Sequence, residues 1–346
     1  MQFFWFLPTH GDGEYLGRSE PARNGFPYYL TTAQRLDDLG FDGVLVPTGP
    51  IFEEAWVNAA ALASRTARLR YLVALQPHVL SPLNAARQVV AFDRLSNGRI
   101  SLNIVVGADR EISAQEGIAL SAGERYAQAE EFIDAYQSLL TRKTVDFSGK
   151  YYRLDKAELH FAPLQQPAPP LYSAGTSEAG LDFAARHVDW YIMWADPINV
   201  VARRVQDLRV RANRLGRHVR FGIRVHFIVR ETARAAWAEA ERLISKITDA
   251  EINRAIGRFE NEEAAAQKVS FALHQGSRDR LEIAPNLWAG VSLARGGALT
   301  ALVGDAETVR ARLREYNEAG IDLIIGSGTP HLEEAETVHK YLFRQS

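Results

Sequence analysis

Short apolar runs recur along the chain at 3–8, 42–47, 70–77, 99–107, 170–175, 189–195, 220–229 and 321–328. Each is a few residues long and bounded by Gly, Pro, Asp or other polar residues, which is how strands read. Between them, apolar residues return every three to four positions, as on one face of a helix. Such stretches cover 27–39, 53–65, 82–94, 124–140, 177–187, 198–215 and 332–343. A further helix is predicted over 305–319, with Asp305 as N-cap and Gly320 as its stop. Alternating strands and helices predict a parallel sheet. Eight strands with insertions predict an α/β fold, a TIM (β/α)8 barrel. An open doubly wound sheet is the alternative. The first strand-to-helix turn carries no G-x-G-x-x-G, which weakens its dinucleotide-binding version.

Two stretches exceed a minimal barrel. Residues 143–169 hold a hairpin turning at Ser148-Gly149 and a Pro-rich connector. Residues 246–288 form a charged, mostly helical insertion within what reads as a single domain over 1–346. A long insertion late in a barrel is expected to be an active-site lid, with a subunit-contact arm as the other reading.

Composition narrows the classes. There are 346 residues, with Lys+Arg 40 against Asp+Glu 42 and no cysteine. A thiolate metal site, a cysteine nucleophile and a disulfide framework are excluded. The formal net charge of −2 argues against a general nucleic-acid binder. No apolar run approaches the roughly 20 residues that span a bilayer. The first residues lack the positive flank and cleavage site of a signal peptide, so a cytoplasmic protein with no membrane partner is expected.

In a barrel the chemistry sits at the C-terminal strand ends. Arg224 and His226 are two apart on one strand and share a face. Phe221, Ile223, Val225 and Phe227 can fill the helix-covered face, so Arg224 and His226 are expected to point into the barrel mouth. A buried Arg needs an anionic partner: a core carboxylate or a bound anion. Arg295, in Ala294-Arg295-Gly296-Gly297, is a second candidate cation. Gly175-Thr176-Ser177 stands between a strand and a helix, and reads as a phosphate site or as an ordinary N-cap. Tyr126 could reach the same phosphate or pack on the rim. His10, His78 and His331 lie at three strand ends, without spacing or carboxylates that would make a metal site. Trp5, Phe6 and Trp194 suit a planar cofactor or plain packing.

Several segments together resemble the two-component, FMNH2-dependent alkanesulfonate monooxygenases of the bacterial luciferase-like superfamily. They are FWFLPTHGDGEYLG (4–17), LGFDGVLVPTG (39–49), LVALQPHVLSPLNAARQVVAFDRLSNGR (72–99), TVDFSGKYY (144–152), QQPAPPLYSAGTSEAG (165–180), RFGIRVHFIVRET (220–232), NLWAGVSLARGGALTALVGD (286–305) and SGTPHLEEA (327–335). The resemblance implies a barrel with insertions, FMNH2 delivered by a separate NAD(P)H-dependent flavin reductase, O2 as co-substrate, and an organosulfonate cleaved to sulfite and an aldehyde. It places Arg224, His226, Arg295 and His331 at catalytic positions, the two arginines on the sulfonate oxygens. It places His10, Trp194 and Thr329 against substrate. It assigns Gln76, Asn103, Tyr126, Gly175, Thr176 and Ser177 to the flavin and its phosphate. A homo-oligomer, dimer or tetramer, is expected by the same resemblance.

Two positions depart from that pattern. Thr329 stands where the family carries Tyr before Pro-His-Leu-Glu-Glu, and Phe52 where it often carries Cys. A smaller, still polar side chain at 329 suits a bulkier hydroxylated sulfonate, and the sulfoquinovose monooxygenases are such a branch. A linear alkanesulfonate or methanesulfonate enzyme is the alternative. Another luciferase-like oxygenase, such as a sulfone monooxygenase, is a third reading, and a flavin-binding protein without turnover is the non-enzymatic one.

Overall fold

The eight apolar runs close into a ring. In chain order the strands are β1 (Gln2–Phe6), β2 (Gly43–Val46), β3 (Arg70–Leu75), β4 (Ile100–Ile104), β5 (Val145–Ser148), β6 (Arg153–Ala157), β7 (Leu171–Ala174), β8 (Trp190–Trp194), β9 (Arg220–Val229), β10 (Glu282–Ala284), β11 (Leu287–Trp288), β12 (Ala301–Gly304) and β13 (Leu323–Ser327). Parallel pairing runs β1-β2-β3-β4-β7-β8-β9-β13 and returns to β1, so the described strands form a closed eight-stranded barrel. The open-sheet alternative is thereby excluded. The computed structural model describes residues 1–18, 20, 23–107, 114–261, 277–293 and 299–343.

The helices are α1 (Phe26–Leu39), α2 (Ala55–Ala63), α3 (Pro82–Ser96), α4 (Ala122–Thr141), α5 (Glu178–His187), α6 (Ile198–Arg214), α7 (Ala233–Ile244), α8 (Asp249–Asn261), α9 (Ala306–Glu318) and α10 (His331–Val338). Their ends follow local chemistry. Asp305 accepts from Thr308 N at 2.9 Å and caps α9 as expected. Ser121 and Glu124 form a reciprocal capping box on α4. Gly40 takes the left-handed conformation that ends α1.

Strand alternation sorts side chains into two layers. Trp5, Val44, Tyr71, Leu102, Phe221 and Ile223 face outward and join the helices in the main core. Phe4, Leu45, Leu72, Tyr172, Trp190, Ile192, Leu323 and Ile325 fill the bore. Each such residue, fully buried, contributes about 1.5–3 kcal/mol. At the N-terminal end of the bore, Tyr172 and Trp190 stack with centroids 5.5 Å apart, and the Arg220 guanidinium lies 4.0 Å from the Trp190 ring. Trp5 is therefore packing between barrel and helices, the second of the two readings open to it. Gly326 makes room for it, since a Cβ there would stand 2.7 Å from the indole.

The hairpin appears as β5–β6. Part of the 246–288 insertion forms α8 and the small antiparallel pair β10–β11; residues 262–276 lie outside the described residues. Three short strands went unanticipated. β12 pairs with β9 at His226–Val229, in line with β8, which pairs with the same edge at Arg220–Arg224. Thr300 Oγ1 donates to the carbonyl of Ala195 at 2.6 Å and stitches the two together. The barrel wall is consequently taller at β9, and β11 and β10 widen it further. β10 and β11, of three and two residues, are too short to show a period, and β12 takes its place from pairing with β9.

Candidate active site at the barrel mouth

β9 turns its residues as the alternation requires. Phe221, Ile223, Val225 and Phe227 enter the outer core, so Arg224 and His226 face the bore. The Arg224 guanidinium lies 4.1 Å from the Phe6 ring centroid and 5.4 Å from that of Trp194. The rings hold the guanidinium plane at the mouth, and a planar guanidinium is the side chain that matches an oxyanion in two-point geometry. His226 is fully buried, with Nδ1 3.1 Å from Ser327 Oγ on the adjoining β13. Ser327 sits opposite His226 in the β9–β13 register.

His331 opens α10 and His10 follows β1. Their rings meet edge to face at 6.4 Å, and each also contacts Phe6. Phe52, from the segment after β2, stands 5.2 Å from the His10 ring. Thr329 and His331 are buried on either side of Pro330. Pro330 offers α10 no side-chain cap. Asp12 replaces it: one carboxylate oxygen accepts from His331 N at 2.6 Å and from the Tyr28 hydroxyl at 2.5 Å, while the other accepts from Gly13 N. Burial raises the Asp12 carboxyl above its ordinary value against these hydrogen bonds, which lower it. Behind α10, Glu334 receives both Arg230 nitrogens at 2.7 and 3.0 Å, yet burial pushes its pKa up to about 7.

On the opposite wall, Gln76 continues the inward row of β3 and Asn103 that of β4, with Leu72 and Ser101 below them. Gln76 Nε2 donates to Glu116 at 3.0 and 3.1 Å. His78 Nε2 lies 3.5 Å from the same carboxylate, and burial holds its imidazole below the ordinary value. Asn103 Oδ1 is buried without a hydrogen-bond partner among the described residues.

The segment after β7 closes the ring of candidates. Ser177 caps α5 by accepting from Gly180 N at 3.1 Å. The Tyr126 hydroxyl bonds Ser177, and burial raises its pKa. A Cβ at Gly175 or Gly180 would stand 2.9 or 2.8 Å from that hydroxyl, so only glycine admits it. Gly175 also has a φ of +144°, and its carbonyl accepts from Tyr191. Thr176 is half-exposed beside them. The same serine is thus an ordinary N-cap and part of a glycine-lined, hydroxyl-bearing cradle.

The structure therefore gathers Arg224, His226, His331, His10, Trp194 and Thr329 at one mouth, with Gln76 and Asn103 across it. Arg295 lies outside the described residues. Among the described residues no group of three metal-ligating side chains comes together. Sequence reading missed Glu116, Ser327 and the role of Asp12 and Tyr28. No local signal marks them, because each acts through a segment far away in the chain.

A family model described as luciferase-like monooxygenase matches residues 1–323. Among solved structures, a riboflavin lyase crystallised with a modified FMN and riboflavin superimposes with a TM-score of 0.84 at 19% identity, covering 99% of this chain and 90% of that one. The EDTA monooxygenase from Chelativorans sp. BNC1 gives 0.75 at 19%, with coverages of 99% and 92%. A long-chain alkane monooxygenase gives 0.78 at 19%, with coverages of 99% and 90%. At such identities the likeness to these structures is one of fold.

Proposed function

Because this chain belongs to the luciferase-like monooxygenase family, we propose that its barrel mouth binds reduced FMN and an organosulfonate, and cleaves the C–S bond to sulfite and an aldehyde. The observation that carries this reading is Arg224, aimed inward from β9 with its guanidinium against Phe6 and Trp194. A planar guanidinium matches the rigid oxygen triangle of a sulfonate.

The residues present fit a flavin phosphate. Gly175, Thr176, Ser177 and the start of α5 offer backbone N–H groups and hydroxyls beside Tyr126. The buried, unpartnered Asn103 Oδ1 fits a heteroaromatic N–H. Bound reduced FMN, renewed by a separate NAD(P)H-dependent reductase, would give O2 two electrons, so that one oxygen enters the aldehyde and the other leaves as water. Arg224 holds the sulfonate, and Arg295 would join it from the segment after residue 293. His226 has Nε2 as its second proton position while Ser327 holds Nδ1 in either tautomer. His331, anchored through Asp12, faces the same space and would move the proton that the substrate carbon gives up. Trp194 and Phe6 exclude water around the anion.

Within sulfonates, we assign the substrate to the bulkier, hydroxylated kind, with sulfoquinovose as the best match. Thr329 supports this: it is short, polar and buried next to His331. Phe52 supports a second reading, because its ring beside His10 gives the mouth an apolar wall that suits a linear alkyl chain. The test is sulfite release with a flavin reductase, NAD(P)H, FMN and O2, comparing sulfoquinovose with short and medium alkanesulfonates. Sulfite mainly from sulfoquinovose is expected. The reverse order moves the assignment to alkanesulfonates, and no sulfite from either overturns the sulfonate reading.

A further inference from the structure

His10 and His331 meet at the mouth but are carried by two separate segments, the β1–α1 loop and α10. Both supports lead to one side chain outside the mouth. Glu239 lies on α7 with 16% of its side chain exposed, and its ion-pair partners are both arginines. It takes Arg242 in two-point geometry, from Nε at 2.7 Å and from Nη2 at 2.9 Å. The same Arg242 Nη2 donates to the carbonyl of Glu14 at 3.1 Å, and the guanidinium lies 4.9 Å from the Tyr15 ring. Next in sequence, Leu16 N donates to the carbonyl of Leu243 at 3.0 Å, and the Leu16 side chain is buried among apolar residues of α7. The loop that presents His10 is thus moored to α7. On its other side Glu239 meets Arg230 Nη2 at 3.0 Å. Arg230 is gripped in turn by Glu334, one turn past His331 on α10.

We propose that Glu239 is a positioning residue: the row Arg242–Glu239–Arg230–Glu334 sets His10 and His331 against each other from behind the mouth. The loss of turnover expected on breaking the row rests on the function proposed above; the placement of the two rings does not. Two carboxylates and two guanidiniums alternate, so each charge has an opposite neighbour. A shared, two-point arrangement of this kind holds geometry better than isolated surface pairs do. Removing the charge at 239 leaves Arg230 and Arg242 on either side of a neutral group. Arg230 keeps Glu334, but Arg242, with 38% of its side chain exposed, can turn to water and release Glu14. The loop then slackens its hold on His10 and on Asp12, which anchors His331. A ring displaced by about 1 Å is enough to slow a proton transfer.

The experiment records proton–carbon correlation spectra of the flavin-free protein labelled at the Cε1 of its nine histidines. His10→Asn and His331→Asn identify the two signals. In Glu239→Gln both should move, while those of the exposed His160 and His218 hold. A purely structural role would lower the melting temperature and leave the signals of the folded protein in place. The kcat for sulfite release should fall about tenfold, with KM for the sulfonate changed by less than about twofold, because Arg224 stands on β9 outside the row of charges. Arg242→Gln cuts the loop arm alone and should move His10 more than His331; it serves if Glu239→Gln fails to fold by circular dichroism. Unmoved His10 and His331 signals in the folded variants overturn the inference. Moved signals with an unchanged kcat also overturn it, since the placement would then cost nothing in turnover. Moved signals in a protein whose wild type releases no sulfite support the positioning and overturn the sulfonate reading.

Discussion

Arg224 combines a charge with two aromatic contacts, and the two can be separated experimentally. Arg224→Ala should lower kcat/KM for sulfite release by about two orders of magnitude or more, since truncating one member of a desolvated charge pair costs about 2–5 kcal/mol. Arg224→Lys should recover only part, because an ammonium keeps the charge and loses the planar fork. Binding of FMN should survive both changes, and sulfite release undiminished in the alanine variant would remove Arg224 from the anion site. The direction of Arg224 was legible from the strand itself, because apolar neighbours at 221, 223, 225 and 227 leave it no other face. Its partners were less so. Glu116 and Ser327 meet Gln76 and His226 only through the register of distant segments.

The helices show the same division between local and distant causes. α9 begins where Asp305 says it should, and the cap is readable from three adjoining residues. α10 begins at a proline with nothing local to offer, and its cap comes from Asp12, 319 residues earlier. The β1–α1 loop thus holds His10 in the mouth and, two residues on, anchors His331 opposite it. Asp12→Ala should destabilise the protein by about 1–3 kcal/mol, the cost of a lost cap with Tyr28 left unpartnered. Asp12→Asn should cost less, as its amide oxygen still accepts from His331 N. Urea midpoints compare them; an alanine variant as stable as wild type would show that the loop does not hold α10.

At the scale of the molecule, Glu334 ties α10 to the end of β9 through Arg230, which also reaches Glu239 at 3.0 Å. A carboxyl raised from 4.5 to about 7 binds its proton better in the folded state than in the unfolded one. Its contribution to stability is complete below pH 4.5 and is lost as pH rises through 7, by roughly 3 kcal/mol at most. Denaturation of wild type and Glu334→Gln across pH 4.5 to 8 should show wild type losing stability relative to the variant. A constant difference would count against the assignment. The ring of eight strands was legible because each barrel strand lies in a short apolar run bounded by turn or polar residues. The extension at β10–β12 was not, since β12 is fixed by pairing with β9, and β11 and β10 by pairing in turn beyond it, and not by their own sequence.

β13 is the piece that joins β1 to β9, pairing Gln2–Trp5 on one side and Gly222–His226 on the other. Residues 323–327 are made after both of these neighbours. A chain that lacks them cannot join β1 to β9, so any sheet it forms is open with two bare edges, each a template for pairing with another chain. Ring closure is therefore a late event in the life of the polypeptide. Nascent chains stalled before residue 323 are the form most exposed to aggregation and to chaperone capture.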